Sequence, residues 1–162
     1  MLPTALLNCA NLLSVDLQCP CATRPFTNVS LVNRLKAKNF PNTGSSLTEK
    51  EVIANGHIRL FGKELISRIS SKTIFGNYPM EYTFVADIYE NGITYGVNNV
   101  GTTDCGIWKI DFETGTLQLV WQNTWIDTQT RAYDVNGTIE FYDVDTGNWR
   151  TTFKIIESLK KE

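Results

Sequence analysis

The sequence predicts a mainly β protein: an eight-stranded up-and-down antiparallel barrel led in by short N-terminal helices. Three observations carry this expectation. The apolar residues change from a helical period to a period of two near residue 72. From there, turn signals built on Asn-Gly and Thr-Gly recur roughly every ten residues. A meander that long has two edges to hide, and closing the sheet on itself removes both.

Residues 1–25 stand apart from the rest. They are apolar and signal-like, but they lack a basic start, and Asp16 interrupts the apolar run. They are set aside as a degenerate signal-like or disordered N-terminus. Residues 26–72 form a helical lead-in. The stretch 29–38 suits two or three helical turns, and Pro41 and Gly44 then mark a loop. Thr48 with Glu51 makes a capping box, Leu47 with Val52 a hydrophobic staple, and Asn55-Gly56 a stop. Ile58, Phe61, Leu65 and Ile69 then fall on one helical face, which Gly62 weakens. The Ile58–Phe61 end also suits an extended chain.

Residues 73–162 carry the barrel and form one domain with the lead-in. Thr73–Phe75 opens it. "YTFVADIY" (82–89) alternates Tyr82, Phe84, Ala86 and Ile88 against Thr83, Val85, Asp87 and Tyr89. Asn91-Gly92 is expected to turn it back with positive φ at both residues. "GIWKIDF" runs to a turn at Glu113-Thr-Gly115, and "TLQLVWQNTW" returns. A second Asn-Gly, at 136–137, joins "TRAYDV" to "TIEFYDV". Asp145-Thr-Gly147 leads into the last strand, "NWRTTFKII".

Composition excludes several function classes. With 42% hydrophobic and 20% charged residues, the chain is an ordinary globular one. A net charge of −2 supplies no basic field for a phosphate backbone, so no nucleic-acid partner is expected. No apolar run reaches the roughly 18–20 residues of a membrane-crossing helix. His57 is the one histidine, and it is expected in a solvated loop. Neither His-Glu-x-x-His, nor Gly-x-Ser-x-Gly, nor a phosphate loop occurs. No metal site and no cofactor are expected, and no catalytic residue can be assigned.

Cys9, Cys19 and Cys21 are expected as unpaired thiols, with disulfides among the four cysteines left open; Cys19-Pro-Cys21 is too tight for a zinc half-site. Cys105, beside Asp104, is expected to be structural. Of the strand carboxylates Glu81, Asp87, Asp111, Glu140 and Asp143, Glu140 lies opposite Ile139 and Phe141 in phase. It therefore faces solvent or a polar lumen, with solvent preferred.

The aromatic residues are the more informative set. An eight-stranded barrel has an interior that side chains fill or that holds one small ligand. Tyr82, Phe84, Tyr95, Trp108, Trp121, Tyr133 and Phe141 are the lumen candidates, for a small apolar or amphipathic ligand. Trp121 and Trp125 are placed to flank a mouth.

The series from residue 61 to residue 156 resembles a family of uncharacterised bacterial exported proteins with a lipocalin-like (calycin) barrel. The matching positions are Thr73 and Gly76; Asn91 and Gly92 with Thr94 and Gly96; Gly106 and Trp108; and Gly137 with Phe141, Tyr142 and Asp143. The Gly-x-Trp at 106–108 falls mid-meander, whereas lipocalins proper carry theirs on the first strand. Members often hold a cysteine pair after Gly-x-Trp; the stretch from Leu117 to Tyr133 has none. The resemblance implies a periplasmic or secreted protein and transfers no activity. It supports a non-enzymatic barrel that binds a small molecule or a partner. Two alternatives stand beside it: a decarboxylase- or isomerase-like enzyme using lumen tyrosine and glutamate, and a filled-barrel interaction module.

Overall fold

The computed structural model describes residue 45 and residues 47–159. The signal-like stretch 1–25, the helix expected at 29–38, and Cys9, Cys19 and Cys21 lie outside the described residues.

The capping box forms as expected. Thr48 Oγ1 accepts from the Glu51 amide at 3.3 Å, and Glu51 Oε2 accepts from the Thr48 amide at 2.6 Å. It starts helix α1, Glu49–Ala54, which Gly56 ends at φ +80°. The Ile58 segment resolves to its extended alternative: Ile58–Leu60 is strand β1. Helix α2 begins only at Gly62 and runs to Ile69. Phe61 therefore leaves the helical face on which the sequence placed it.

The remaining strands are β2 (Lys72–Asn77), β3 (Thr83–Ile88), β4 (Ile93–Asn98), β5 (Thr103–Ile110), β6 (Thr116–Trp121), β7 (Thr128–Val135), β8 (Thr138–Asp143) and β9 (Trp149–Ser158). Each pairs antiparallel with the next. β9 then pairs with β2, from Lys72↔Ser158 to Asn77↔Thr152, which closes an eight-stranded up-and-down barrel. β1 is a ninth strand outside the meander. It lies along β7 at Ile58↔Asp134 to Leu60↔Ala132, beyond the stretch of β7 that pairs with β6.

The turns show how local chemistry sets register. At Asn136-Gly137 both residues take positive φ, +53° and +91°, as a type I′ turn requires. At Asn91-Gly92 only Gly92 does (+90°). Asn91 instead turns its Oδ1 to the Ile93 amide at 3.2 Å, and the loop widens by one residue between Tyr89 and Ile93. Two Asp-x-x-Thr-Gly turns, 111–115 and 143–147, are built alike. The aspartate Oδ1 accepts two amides within the turn, and the glycine amide returns to the aspartate carbonyl at 2.8 Å.

The main core fills the barrel. Ile74, Phe84, Ala86, Ile88, Trp108, Ile110, Leu117, Leu119, Ala132, Ile139, Phe141 and Phe153 point inward and pack together. Leu65 and Ile69 of α2, both fully buried, close the end where β3 and β5 finish. Arg68 fastens α2 to β7 through Asp134 Oδ2 at 2.7 Å. Helix α1 lies on the outer face instead, where Val52 packs on Tyr133, Val135 and Tyr142. Most outward side chains of β2 to β5 are buried as well, Phe75, Val85, Tyr95 and Cys105 among them. Period two in the sequence thus marks two apolar environments and no clean solvent face.

Candidate functional site

The two ends of the lumen are closed by different means. A helix blocks one; at the other, a loop side chain does so. The 122–127 loop between β6 and β7 carries Trp125 into the mouth. Its ring centroid lies 4.6 Å from Trp121, 5.7 Å from Phe84 and 6.4 Å from Tyr78. Tyr78 in turn stacks on Phe84 at 4.5 Å. Two glycines make room. A Cβ on Gly96 would come within 2.5 Å of the Trp125 ring, and one on Gly76 within 2.1 Å of the Phe84 ring. The strands supply floor here, and the loop supplies the filling.

Asp104 holds the loop in place. Its carboxylate is buried at the start of β5. Oδ1 accepts from the amides of Cys105 at 2.7 Å and Asn123 at 3.1 Å, and from Asn123 Nδ2 at 3.0 Å. Oδ2 accepts from the amides of Thr124 and Trp125, each at 2.9 Å. Converging amides are what a buried carboxylate needs in place of water. From the far side of the loop, Asp127 Oδ1 accepts from the Trp121 amide at 2.7 Å. Tyr78 at the same mouth keeps its proton well into the alkaline range, because burial disfavours the phenolate and Asp104 adds to that; Arg150 pulls the other way.

Four buried donors at this end have no hydrogen-bond partner: Trp121 Nε1, Trp125 Nε1, Thr128 Oγ1 and Thr151 Oγ1. Trp121 and Thr128 follow Leu119 and precede Thr130 on paired strands, and Thr151 continues the register of β9 toward Tyr78. Buried polar groups in proteins are nearly always satisfied, so four together mark this mouth as unusual.

Four of the seven predicted lumen residues meet inside the barrel. Phe84 and Phe141 belong to the main core, Trp121 lies at the mouth, and Trp108 lies toward the α2 end. Trp108 Nε1 donates to the Tyr89 carbonyl at 2.8 Å and so ties β5 to the β3–β4 turn. Gly106 admits the β6 backbone: a Cβ there would come within 2.3 Å of the Val120 carbonyl oxygen. The other three point elsewhere. Tyr82 is exposed beside the 3-10 turn Pro79–Glu81. Tyr95 packs outward with Tyr89, Ile93 and Cys105. Tyr133 packs outward beneath α1. The phase of each was readable; which phase was the inner one was not. Asp104 and Tyr78 were missed. An acid in the inward series 104-106-108, facing a loop rich in free amides, was the available signal for the first.

Glu140, expected toward solvent, is buried on the outer face, where Tyr142 Oη donates to its Oε2 at 2.5 Å. A second tyrosine–carboxylate pair lies beside it: Tyr133 Oη to Glu49 Oε2 at 2.8 Å. Burial first, then the hydrogen bond to its carboxylate, pushes each phenol up, Tyr133 to about 12 and Tyr142 beyond it. Asp87 accepts from Thr73 Oγ1 at 2.7 Å, again on the outer face. These carboxylates do not converge with a tyrosine in the lumen; the side chain of Glu81 lies outside the description. Cys105 is disulfide-bonded.

Among the described residues, no group of three or more His, Cys, Asp or Glu side chains is arranged to hold a metal ion. No helix among them is long and apolar enough to cross a membrane. No family model, no curated protein and no solved structure matches this chain. What the coordinates define is a class: a closed eight-stranded antiparallel β-barrel with a helix at one end and a loop-borne tryptophan at the other.

Proposed function

We propose that this is an exported, non-enzymatic barrel that binds a small planar, largely apolar molecule carrying a hydrogen-bond acceptor, at the Trp125 end of the lumen. One observation carries the reading. The mouth is filled by a side chain from a loop, and the donors around it, Trp121 Nε1 and Thr128 Oγ1 among them, are unpartnered. A flat ligand taking the place of Trp125 keeps the edge-to-face contacts with Phe84 and Tyr78 and brings the acceptor those donors lack. The resemblance to lipocalin-like exported proteins agrees with the closed barrel. The disulfide at Cys105 supports an oxidising compartment, periplasmic or extracellular.

Native mass spectrometry of the protein purified from its own host tests this, followed by tryptophan-fluorescence titration against a panel of small aromatic compounds. A co-purifying ligand whose binding changes Trp125 emission is the expected result. The packed lumen favours a second reading, a filled module for interaction with other proteins. Absence of any ligand, together with a flat titration, selects it.

A further inference from the structure

Outside the barrel, a groove of about 440 Å³ runs between β1 and the β5–β6 turn, lined by Arg59, Phe61, Glu113, Thr114, Thr116, Gln129, Arg131 and Val144. That volume is within the usual range for small-molecule sites, about 300–1,000 Å³. Its two guanidinium groups are held in fixed orientations. Arg131 donates through Nε and Nη2 to the two oxygens of Glu49, at 2.6 and 2.8 Å, and through Nη2 to the Val144 carbonyl. Arg59 lies 4.5 Å over the Phe61 ring and donates through Nη2 to the Thr114 carbonyl. Phe61 also packs against Gly115, where a Cβ would come within 2.7 Å of the ring. The Phe61 ring and the Thr114 carbonyl therefore hold the guanidinium of Arg59, whose buried Nε has no partner.

The charges differ in their pairing. Glu49 neutralises Arg131 through two hydrogen bonds. The described contacts of Arg59 are to a backbone carbonyl and a ring, so its positive charge has no carboxylate in contact. Glu113 stands exposed on the rim. With Arg131 and Glu49 paired, Arg59 is the cation left for a ligand's single negative charge, and Glu113 on the rim opposes a second one. A planar guanidinium held in place suits a carboxylate. Exposed Gln129 and buried Thr116, whose hydroxyl pairs with that of Thr114, line the rest of the groove with neutral donors and acceptors.

We propose that this groove binds a hydroxylated monocarboxylate of the sugar-acid class, with Arg59 taking the carboxylate and Gln129 and Thr116 the hydroxyls. The proposal rests on no part of the lumen reading. The test is isothermal titration calorimetry of the full chain at low salt with glucuronate, glucose and inorganic phosphate. Glucuronate is expected to bind, glucose to give no heat, and phosphate to bind about tenfold more weakly or not at all. Arg59→Gln is expected to weaken glucuronate at least about tenfold, and Arg59→Lys to keep part of the affinity, since it keeps the charge and loses the fork. Gln129→Glu places a negative charge in the groove from an exposed position, and is expected to weaken glucuronate to a similar extent without affecting folding. It decides the matter if the Arg59 variants fail to fold. No heat with glucuronate, phosphate binding as tightly as glucuronate, or glucuronate affinity unchanged in Gln129→Glu would each overturn the proposal.

Discussion

Replacing Asp104 with asparagine tests whether one carboxylate holds the mouth shut. Five donors converge on its two oxygens, the Asn123 amide being shared between them. Asparagine offers one acceptor and one NH₂ group, so either orientation sets an NH₂ against at least two N–H donors. A hydrogen bond to a charged group contributes about 1.5–3 kcal/mol, and five of them sum far beyond any realistic loss. The loop has a cheaper route, which is to detach into water and satisfy its amides there. The loss is then bounded by the packing of Trp125. A tryptophan buries about 150–250 Å², or about 4–6 kcal/mol at about 25 cal/mol per Å². Trp125 keeps part of its surface exposed, and the detached loop recovers some contacts with water, so about 2–4 kcal/mol is expected. At about 2–4 °C per kcal/mol for a domain of this size, Asp104→Asn should lower Tm by roughly 5–15 °C. Urea unfolding gives the free energy, and acrylamide quenching of tryptophan emission in the folded state reports the detached loop. A loss under about 0.5 kcal/mol with unchanged quenching would refute the latch.

Three further outcomes follow from the same coordinates. Gly106→Ala drives a methyl to within 2.3 Å of a backbone oxygen, which no rotamer relieves; a loss of about 1–3 kcal/mol in urea unfolding is expected, and a neutral result would show that β5 and β6 can separate there. Glu49 is held below the ordinary carboxylate range, chiefly by its hydrogen bond from Arg131. Its contribution is present above the unfolded value near 4.5 and is lost as pH falls through the folded one, so wild type should lose stability over that acid window and Glu49→Gln should lose less. Tyr133 has the opposite sign. Its phenol is raised from 10.0 to about 12, so its contribution is intact below pH 10 and lost as pH rises from 10 to 12; alkaline unfolding of Tyr133→Phe, followed by far-UV circular dichroism, should lack that component.

The sequence by itself determined the strand count of the barrel, the hairpin positions and the start of α1. These depend on residues close together in the chain: Thr48 with Glu51, Asn136 with Gly137, the aspartates at 111 and 143 with the amides that follow them. Alternation placed Phe84, Tyr95 and Tyr133 in a phase without saying which phase was inner. In most barrels polarity decides that. Here the outer face of β2 to β5 and the ground beneath α1 are themselves apolar and covered, so polarity carried no such information. Only the tertiary structure could place Asp104 against the amides of residues 123–125, some twenty positions away. The pairing of β1 with β7 likewise brought Arg59 to Thr114, 55 positions away. Buried carboxylates and grooves depend on contacts between segments far apart in the chain, and no local propensity encodes them.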